Sequence, residues 1–297
     1  MSLSIFLQNI ANGLSLGSLY ALIAIGYTMV YGILRLINFA HGDIFMLSTY
    51  FVFYGILIFS LPWWLSFIIA IILTAFTGML TERIAYRPLR KAPKISLLIS
   101  AIGVSFFLEN AGVVVFSGIP KSFARPELFD TMLIFKDIRI STINIVSFII
   151  SIIFLMALLY IVYKTKTGLA MRAISVDVET SKLMAIDVNK TISITFGIGS
   201  ALAAVGGVLW ALKYPQIFPF MGIIPGLKAF IAAVVGGIGN IPGAMLGGFI
   251  LGLTEIMLVG FMPELSGYRD AFAFLILILI LLFKPDGLLG KNVQEKV

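Results

Sequence analysis

Groups able to hold a charge, a proton or a ligand are sparse in this sequence, and most stand where one apolar run gives way to the next. The first cluster is Asn38-Phe39-Ala40-His41-Gly42-Asp43, which brings an amide, the chain's single imidazole and a carboxylate within six residues. The second is Glu109-Asn110, deep inside an apolar stretch, and Glu255 stands in similar surroundings. Such groups are costly against lipid and normally face a cavity or a bundle interior. Asn38, His41 and Asp43 are therefore candidates for the mouth of a pathway. They fit equally an interfacial turn in which Asp43 caps the next helix. Glu109 and Asn110 fit a cavity lining or an interhelical pair, as does Glu255. A third cluster is the glycine-rich stretch Gly236–Gly248, with Gly236, Gly237, Gly239 and Asn240 at its start. Glycines at this density let backbones approach and expose N–H and carbonyl groups, which serves a path wall and tight packing alike.

Catalysis finds no footing. There is no cysteine, no Gly-Lys-Ser/Thr phosphate loop and no His-Glu-x-x-His run, and one histidine does not make a metal cluster. The chain is expected to bind no cofactor and no metal of its own, and not to be an enzyme.

The elements that must position these groups are membrane helices. Mean hydropathy is +1.08, only 12% of residues are charged, and runs of spanning length recur along the 297 residues. The runs are continuous rather than alternating, which excludes a barrel; backbone in lipid must then bond within its own segment. They lie at about Gly13–Ile37, Ile44–Leu61, Leu65–Ile84, Ile95–Phe116, Thr142–Tyr163, Thr191–Leu212, Ala244–Phe261 and Ala271–Phe283, with a short one at Gly226–Val235. Between the fourth and fifth, Ser117–Ser141 reads as a mixed-charge loop. The expectation is an all-α polytopic protein, one transmembrane domain over residues 1–297, with about eight spans plus a short broken or re-entrant helix. GLSLGSLYALIAIG from Gly13 and GLKAFIAAVVGG from Gly226 share a Gly-Leu start and small-residue spacing, open to an internal repeat and to chance likeness. The start, MSLSIFLQNIANG, lacks the basic region of a cleavable signal peptide.

The net charge of +7 belongs to loops at a membrane surface, not to nucleic-acid binding. With the short Gly226 segment counted as a crossing, alternation of the runs puts fourteen of the 21 Lys and Arg on one side, and seven (Lys121, Arg125, Lys136, Arg139, Lys213, Lys228, Arg269) on the other. That excess marks the first side as cytoplasmic and puts the C-terminus there. It also puts there Lys164–Lys190, the longest polar interruption of the second half. A helix-forming run, Leu169–Ile174, follows Gly168, and Asp177 is placed to cap a second run, Val178–Ala185. Two short helices at a membrane surface fit a connector folded back on its own bundle, or a knob on which another protein pushes.

GLSLGSLYALIAIGYTMVYGILRLINFAHGDIFMLSTY, GLAMRAISVDVETSKLMAIDV and GLKAFIAAVVGGIGNIPGAMLGGFILGLTE together resemble the high-affinity branched-chain amino acid permeases of ATP-binding-cassette importers, of the H-subunit type. The resemblance covers nearly the whole chain. It implies a homologous second permease subunit, two ATPase subunits that hold ATP and magnesium, an extracytoplasmic amino acid-binding protein, and a bacterial or archaeal cytoplasmic membrane. It also implies that the ATPase-coupling element falls on Asp177, Val178, Glu179, Ser181, Lys182, Leu183, Met184, Ala185 and Ile186, with Arg83–Lys94 a second contact. Ser181 takes the place of the family's usual alanine and Ala185 that of its usual glycine. Alanine at a left-handed position costs about 1 kcal/mol, so the turn is expected to differ or that residue not to be left-handed. The nearest rival is a urea or short-amide permease, then sugar or nucleoside permeases. An ion-coupled secondary carrier would depend on Glu109 or Glu255; a channel would show a filter or charge ring, and none is legible.

Overall fold

The computed structural model describes residues 3–135 and 138–290; Lys136, Lys291 and Lys296, counted among the loop cations above, lie outside the described residues. Eleven helices dominate what is described: α1 (Leu3–Leu34), α2 (His41–Leu57), α3 (Trp63–Thr81), α4 (Lys94–Phe116), α5 (Thr142–Lys164), α6 (Lys166–Val176), α7 (Val178–Leu183), α8 (Val188–Lys213), α9 (Ile223–Gly236), α10 (Ile241–Phe261) and α11 (Arg269–Phe283). α3 runs on through a π-turn, Glu82–Tyr86, into a 3₁₀ turn, Arg87–Leu89. Seven helical segments are long and apolar enough to cross a membrane; α2 has 17 residues and α9 has 14. Among the described residues there are thus seven spans of full length plus the shorter α2 and α9, against the eight spans plus one short helix expected. Ser117–Ser141 is more ordered than a loop. β2 (Met132–Phe135) and β3 (Ile138–Ser141) pair antiparallel, and β1 (Lys121–Ser122) pairs with β4 (Gln216–Ile217).

α1 is the central helix, and small residues put it there. Its residues from Leu16 to Val30 are buried almost without interruption. Gly17 and Gly252 bring α1 and α10 into backbone contact: a Cβ on Gly17 would lie 2.8 Å from the Phe249 Cα, and one on Gly252 would overlap the Gly17 amide. Without a hydrophobic drive between helices in lipid, such close approach is what gains dispersion contacts. α8 and α9 complete the wrap around α1, while α4 and α11 turn most of their side chains outward.

Where boundaries depart from the apolar runs, polar groups find partners inside the bundle. α1 begins ten residues before Gly13, because Asn12 accepts from Asn144 Nδ2 (2.8 Å) and Ser15 donates to Asn144 Oδ1 (3.2 Å). Lys213 reaches the same cluster through Ser15 Oγ (3.1 Å). α1 ends at Leu34, since Arg35 takes φ +52°. Lys228, assigned above to the outer surface, is a correction: it lies on neither surface. It is 8% exposed within the bundle and bonds Glu255 (2.9 Å) and Asp270 (2.7 Å), while Tyr20 Oη donates to Glu255 (2.9 Å). Glu255 is thus an interhelical pair joining α1, α9, α10 and α11.

The Gly17–Gly252 contact predicts that Gly252→Val prevents accumulation of folded protein. Gly103→Ala, where the added methyl meets open space, should raise stability by roughly 0.5–1 kcal/mol. Membrane abundance and thermal midpoint in detergent check both.

Candidate functional site

Arg35–Ala40 is not helical, yet it turns back into the bundle. Its far end can be placed by its neighbours. His41 Nε2 lies against Gly26, eight residues before the end of α1, or about 12 Å in at 1.5 Å per residue. Ser105, which donates to Asp43 Oδ2 (2.5 Å), is eleven residues into α4, about 16 Å. α2 therefore starts near the middle of a core about 30 Å thick. There it meets the start of α9: a Cβ on Gly42 would stand 2.6 Å from the Gly222 carbonyl, and one on Gly222 would overlap the Gly42 carbonyl. Two helix N-termini, each with a partial positive charge, converge at membrane depth.

Asn38, His41 and Asp43 are all brought to this break and buried, at 1%, 1% and 2% exposure. The interfacial-turn reading does not describe them, and Asp43 does not cap α2: Ala40 is the N-cap, with no side-chain bond. The His41 ring instead packs on Tyr27, centroids 4.6 Å apart. Asn38 holds the break from the other side, its Oδ1 accepting from Tyr86 Oη (2.6 Å) and its carbonyl from the His41 amide (3.1 Å). Glu109 is buried one turn beyond Ser105, on the same face of α4. Asn110, read with Glu109 as cavity lining or interhelical pair, is corrected: it is exposed and donates to the Phe106 carbonyl of its own helix (2.7 Å). Gly236, Gly237, Gly239 and Asn240 are also separated from the break. They sit at the end where α9 turns into α10, with Gly237 at φ +110° and Gly239 at +91°. Asn240 caps α10 through Gly243 N (3.2 Å) and donates to the Leu289 carbonyl (2.5 Å), so this tract packs on the C-terminal segment.

That same end carries the α6–α7 pair, beside Gly239, Ile241 and the last turns of α1. Thr165 caps α6, so Gly168 lies inside the helix rather than opening it. Asp177 caps α7 as its spacing implies, accepting from Glu179 N (2.8 Å), Thr180 N (3.2 Å) and Thr180 Oγ1 (2.6 Å). Ser181 is the buried member; its hydroxyl donates to the Asp177 carbonyl (2.6 Å) and its carbonyl accepts from Ile186 N (3.2 Å). Ala185 does adopt the left-handed conformation, φ +59°, in place of glycine. The expectation that the turn would differ or this residue not be left-handed is corrected. The Ile186–Ser181 and Ala185–Lys182 backbone bonds hold it so. Outward stand Val176, Leu183 and Met184, exposed by 87%, 86% and 73%, among Glu179, Lys182 and Arg172. Large apolar side chains so exposed on a polar segment mark a surface meant to be covered.

One buried charged cluster escaped the sequence reading. Glu82 is wholly buried and receives Arg87 (Nη2, 3.0 Å; Nε, 3.3 Å), Arg90 and Ser193 Oγ. Its signal was an acid opening an otherwise basic segment. Arg87 and Arg90, counted within the Arg83–Lys94 contact, turn inward to it, leaving Arg83, Lys91 and Lys94 exposed.

Residues 9–281 match the family described as branched-chain amino acid transport system / permease component. The chain is 44% identical to a high-affinity branched-chain amino acid transport system permease protein of Pseudomonas aeruginosa and 41% identical to that of Escherichia coli K12, each alignment covering 98% of both chains. In fold it is similar to a solved complex, PsaBC from Streptococcus pneumoniae with a Fab, at TM-score 0.51, 15% identity, and 93% and 91% coverage of the two chains.

Hydrogen bonds from the Thr180 hydroxyl, then from the Thr180 and Glu179 amides, hold the Asp177 carboxyl below the usual carboxylate range. The cap is then fully present above the unfolded value of about 3.9 and is lost as pH falls through its lower folded value. Amide exchange at Glu179 and Thr180, referenced to Asp177→Ala, should show protection that persists at pH 5 and is lost only as pH falls below the usual carboxylate range. Ala185→Gly should raise stability by about 1 kcal/mol, read as a higher thermal midpoint.

Proposed function

The chain belongs to the branched-chain amino acid transport system / permease component family; on that premise we propose that it is a membrane-spanning permease subunit of an ATP-binding-cassette importer for branched-chain amino acids. The observation that carries this reading is the α6–α7 pair, two capped helices with exposed Leu183 and Met184 at one end of the bundle. Closure of two ATPases must move the membrane helices, and only a structured loop transmits a push. The ATPases hold ATP and magnesium; this chain holds no cofactor. A homologous second permease completes the pathway, and an extracytoplasmic binding protein delivers the amino acid. The docking end and the C-terminus face the cytoplasm of a bacterial or archaeal cell, supported by the Lys and Arg excess at that end.

The mid-depth break suits a zwitterion with an apolar side chain. Helix N-termini favour a carboxylate, the surrounding side chains are mostly apolar, and polar groups are few. Selectivity then resides largely in the binding protein. The carrier alternative gains nothing from Glu255, which is held by Lys228 and Tyr20.

Leu183→Asp with Met184→Asp should leave the protein in the membrane at normal abundance and lower amino acid uptake about tenfold or more, with the ATPases no longer co-purifying. Undiminished uptake would remove the docking reading. Uptake by the intact importer should stop on ATP depletion and survive collapse of the proton gradient.

A further inference from the structure

The docking end has its own small core. Val30, Leu36, Tyr86, Leu97, Ala101, Ile174, Val188, Ile192 and Phe196 pack as a cluster separate from the main one, with Val178 and Ile186 against its edge. It joins α6, the start of α8, the π-turn after α3 and the segment before α2 to the last turns of α1 and the start of α4.

Polar contacts at its edges tie α8 to the π-turn, and the π-turn to the segment before α2. Asp187, directly before α8, caps that helix by accepting from Lys190 N (2.9 Å). In the first two turns of α8, Asn189 Oδ1 accepts from Arg90 (2.7 Å) and Ser193 Oγ accepts from Arg87 (2.6 Å) while donating to Glu82. Glu82 opens the π-turn and Tyr86 closes it, a widened turn of the kind found mostly at functional places in helices. The Tyr86 ring packs on Phe196 of α8 at 5.5 Å, and its hydroxyl donates to Asn38 Oδ1. Asn38 in turn accepts from the amide of His41, the first residue of α2.

We propose that Glu82, Ser193 and Tyr86 are positioning residues that carry displacement of the docking pair to the mid-membrane break, with the Tyr86–Asn38 bond as the output. The proposal rests on the ATP-driven reading above and names the route inside this chain. Glu82 is the rigid member. A buried carboxylate shared by two guanidinium groups and a hydroxyl resists separation, because any partner lost leaves a desolvated charge behind. The Tyr86 hydroxyl is the weak member: one neutral bond, able to break and re-form as the break opens.

The test uses the importer of this chain with its partner permease, ATPases and binding protein in liposomes, with leucine as the transported probe. Removing Glu82 would strand two cations and risk misfolding, so the informative variants are Tyr86→Phe and Ser193→Ala, which remove single hydroxyls. Both should keep normal membrane abundance, thermal midpoint and ATP hydrolysis, and should lower leucine moved per ATP about tenfold, the order expected when one buried bond is lost. Asn38→Leu should match Tyr86→Phe, and the double variant should be no worse than either single one. Asn38→Asp, which keeps the acceptor, should retain coupling. Normal leucine per ATP in both hydroxyl variants overturns the proposal, and so does an additive loss in the Tyr86–Asn38 pair. A wild-type importer that moves leucine without hydrolysing ATP overturns the functional reading itself, a distinct outcome.

Discussion

Two backbones that touch with no side chain between them set the position of everything else. Where Gly17 meets Gly252, α1 and α10 come close enough for α8 and α9 to close around the rest of α1. Only that enclosure makes Arg35–Ala40 tolerable. Non-helical backbone at membrane depth survives where protein, not lipid, surrounds it, and the walls of this break are α1, α8 and α9. The polar side chains at the break follow from the same enclosure. His41 is buried because Gly26 leaves room for its ring, and Asp43 because α4 offers Ser105.

The two ends of the molecule are held by different chemistry. Within the bundle, Lys228 ties the short α9 to Glu255 and Asp270, and Tyr20 completes the set. Four helices are thereby joined by charge-assisted bonds, which suits a frame that stays put. At the end that carries α6 and α7 the pieces are short, the core is small, and the Glu82 cluster stands at the junction of α3 and α8. A firm frame with a separately packed end is the mechanical form of a lever.

Most of the helical plan was legible because hydropathy over twenty residues reports little besides membrane insertion. The α6–α7 pair was legible too, since the Asp177 cap is a local device whose spacing is its structure. What escaped was non-local. Nothing near Asn12 announces Asn144, 132 positions away, and so α1 began ten residues earlier than its apolar run. Lys228 read as a surface cation because its acid partners lie 27 and 42 residues beyond it. The break at Asn38–Asp43 was visible as a polar knot, but its depth was not. Depth is fixed by Gly26 and Gly222, whose role is to be absent as side chains. Ala185 shows the reverse case. Its left-handed backbone is imposed by bonds to Lys182 and Ser181, against its own preference.

The burial of α1 also orders events in time. Its principal neighbours, α8, α9 and α10, begin at Val188, more than 150 residues after α1 ends. At ordinary rates of synthesis the delay is on the order of ten seconds. Throughout it α1 must wait in lipid or beside the insertion machinery, exposing a glycine-lined flank that nothing yet covers. The helix can wait: from Leu3 to Leu34 it carries no ionisable side chain apart from tyrosine. The central helix of this protein is thus made long before the helices that close around it.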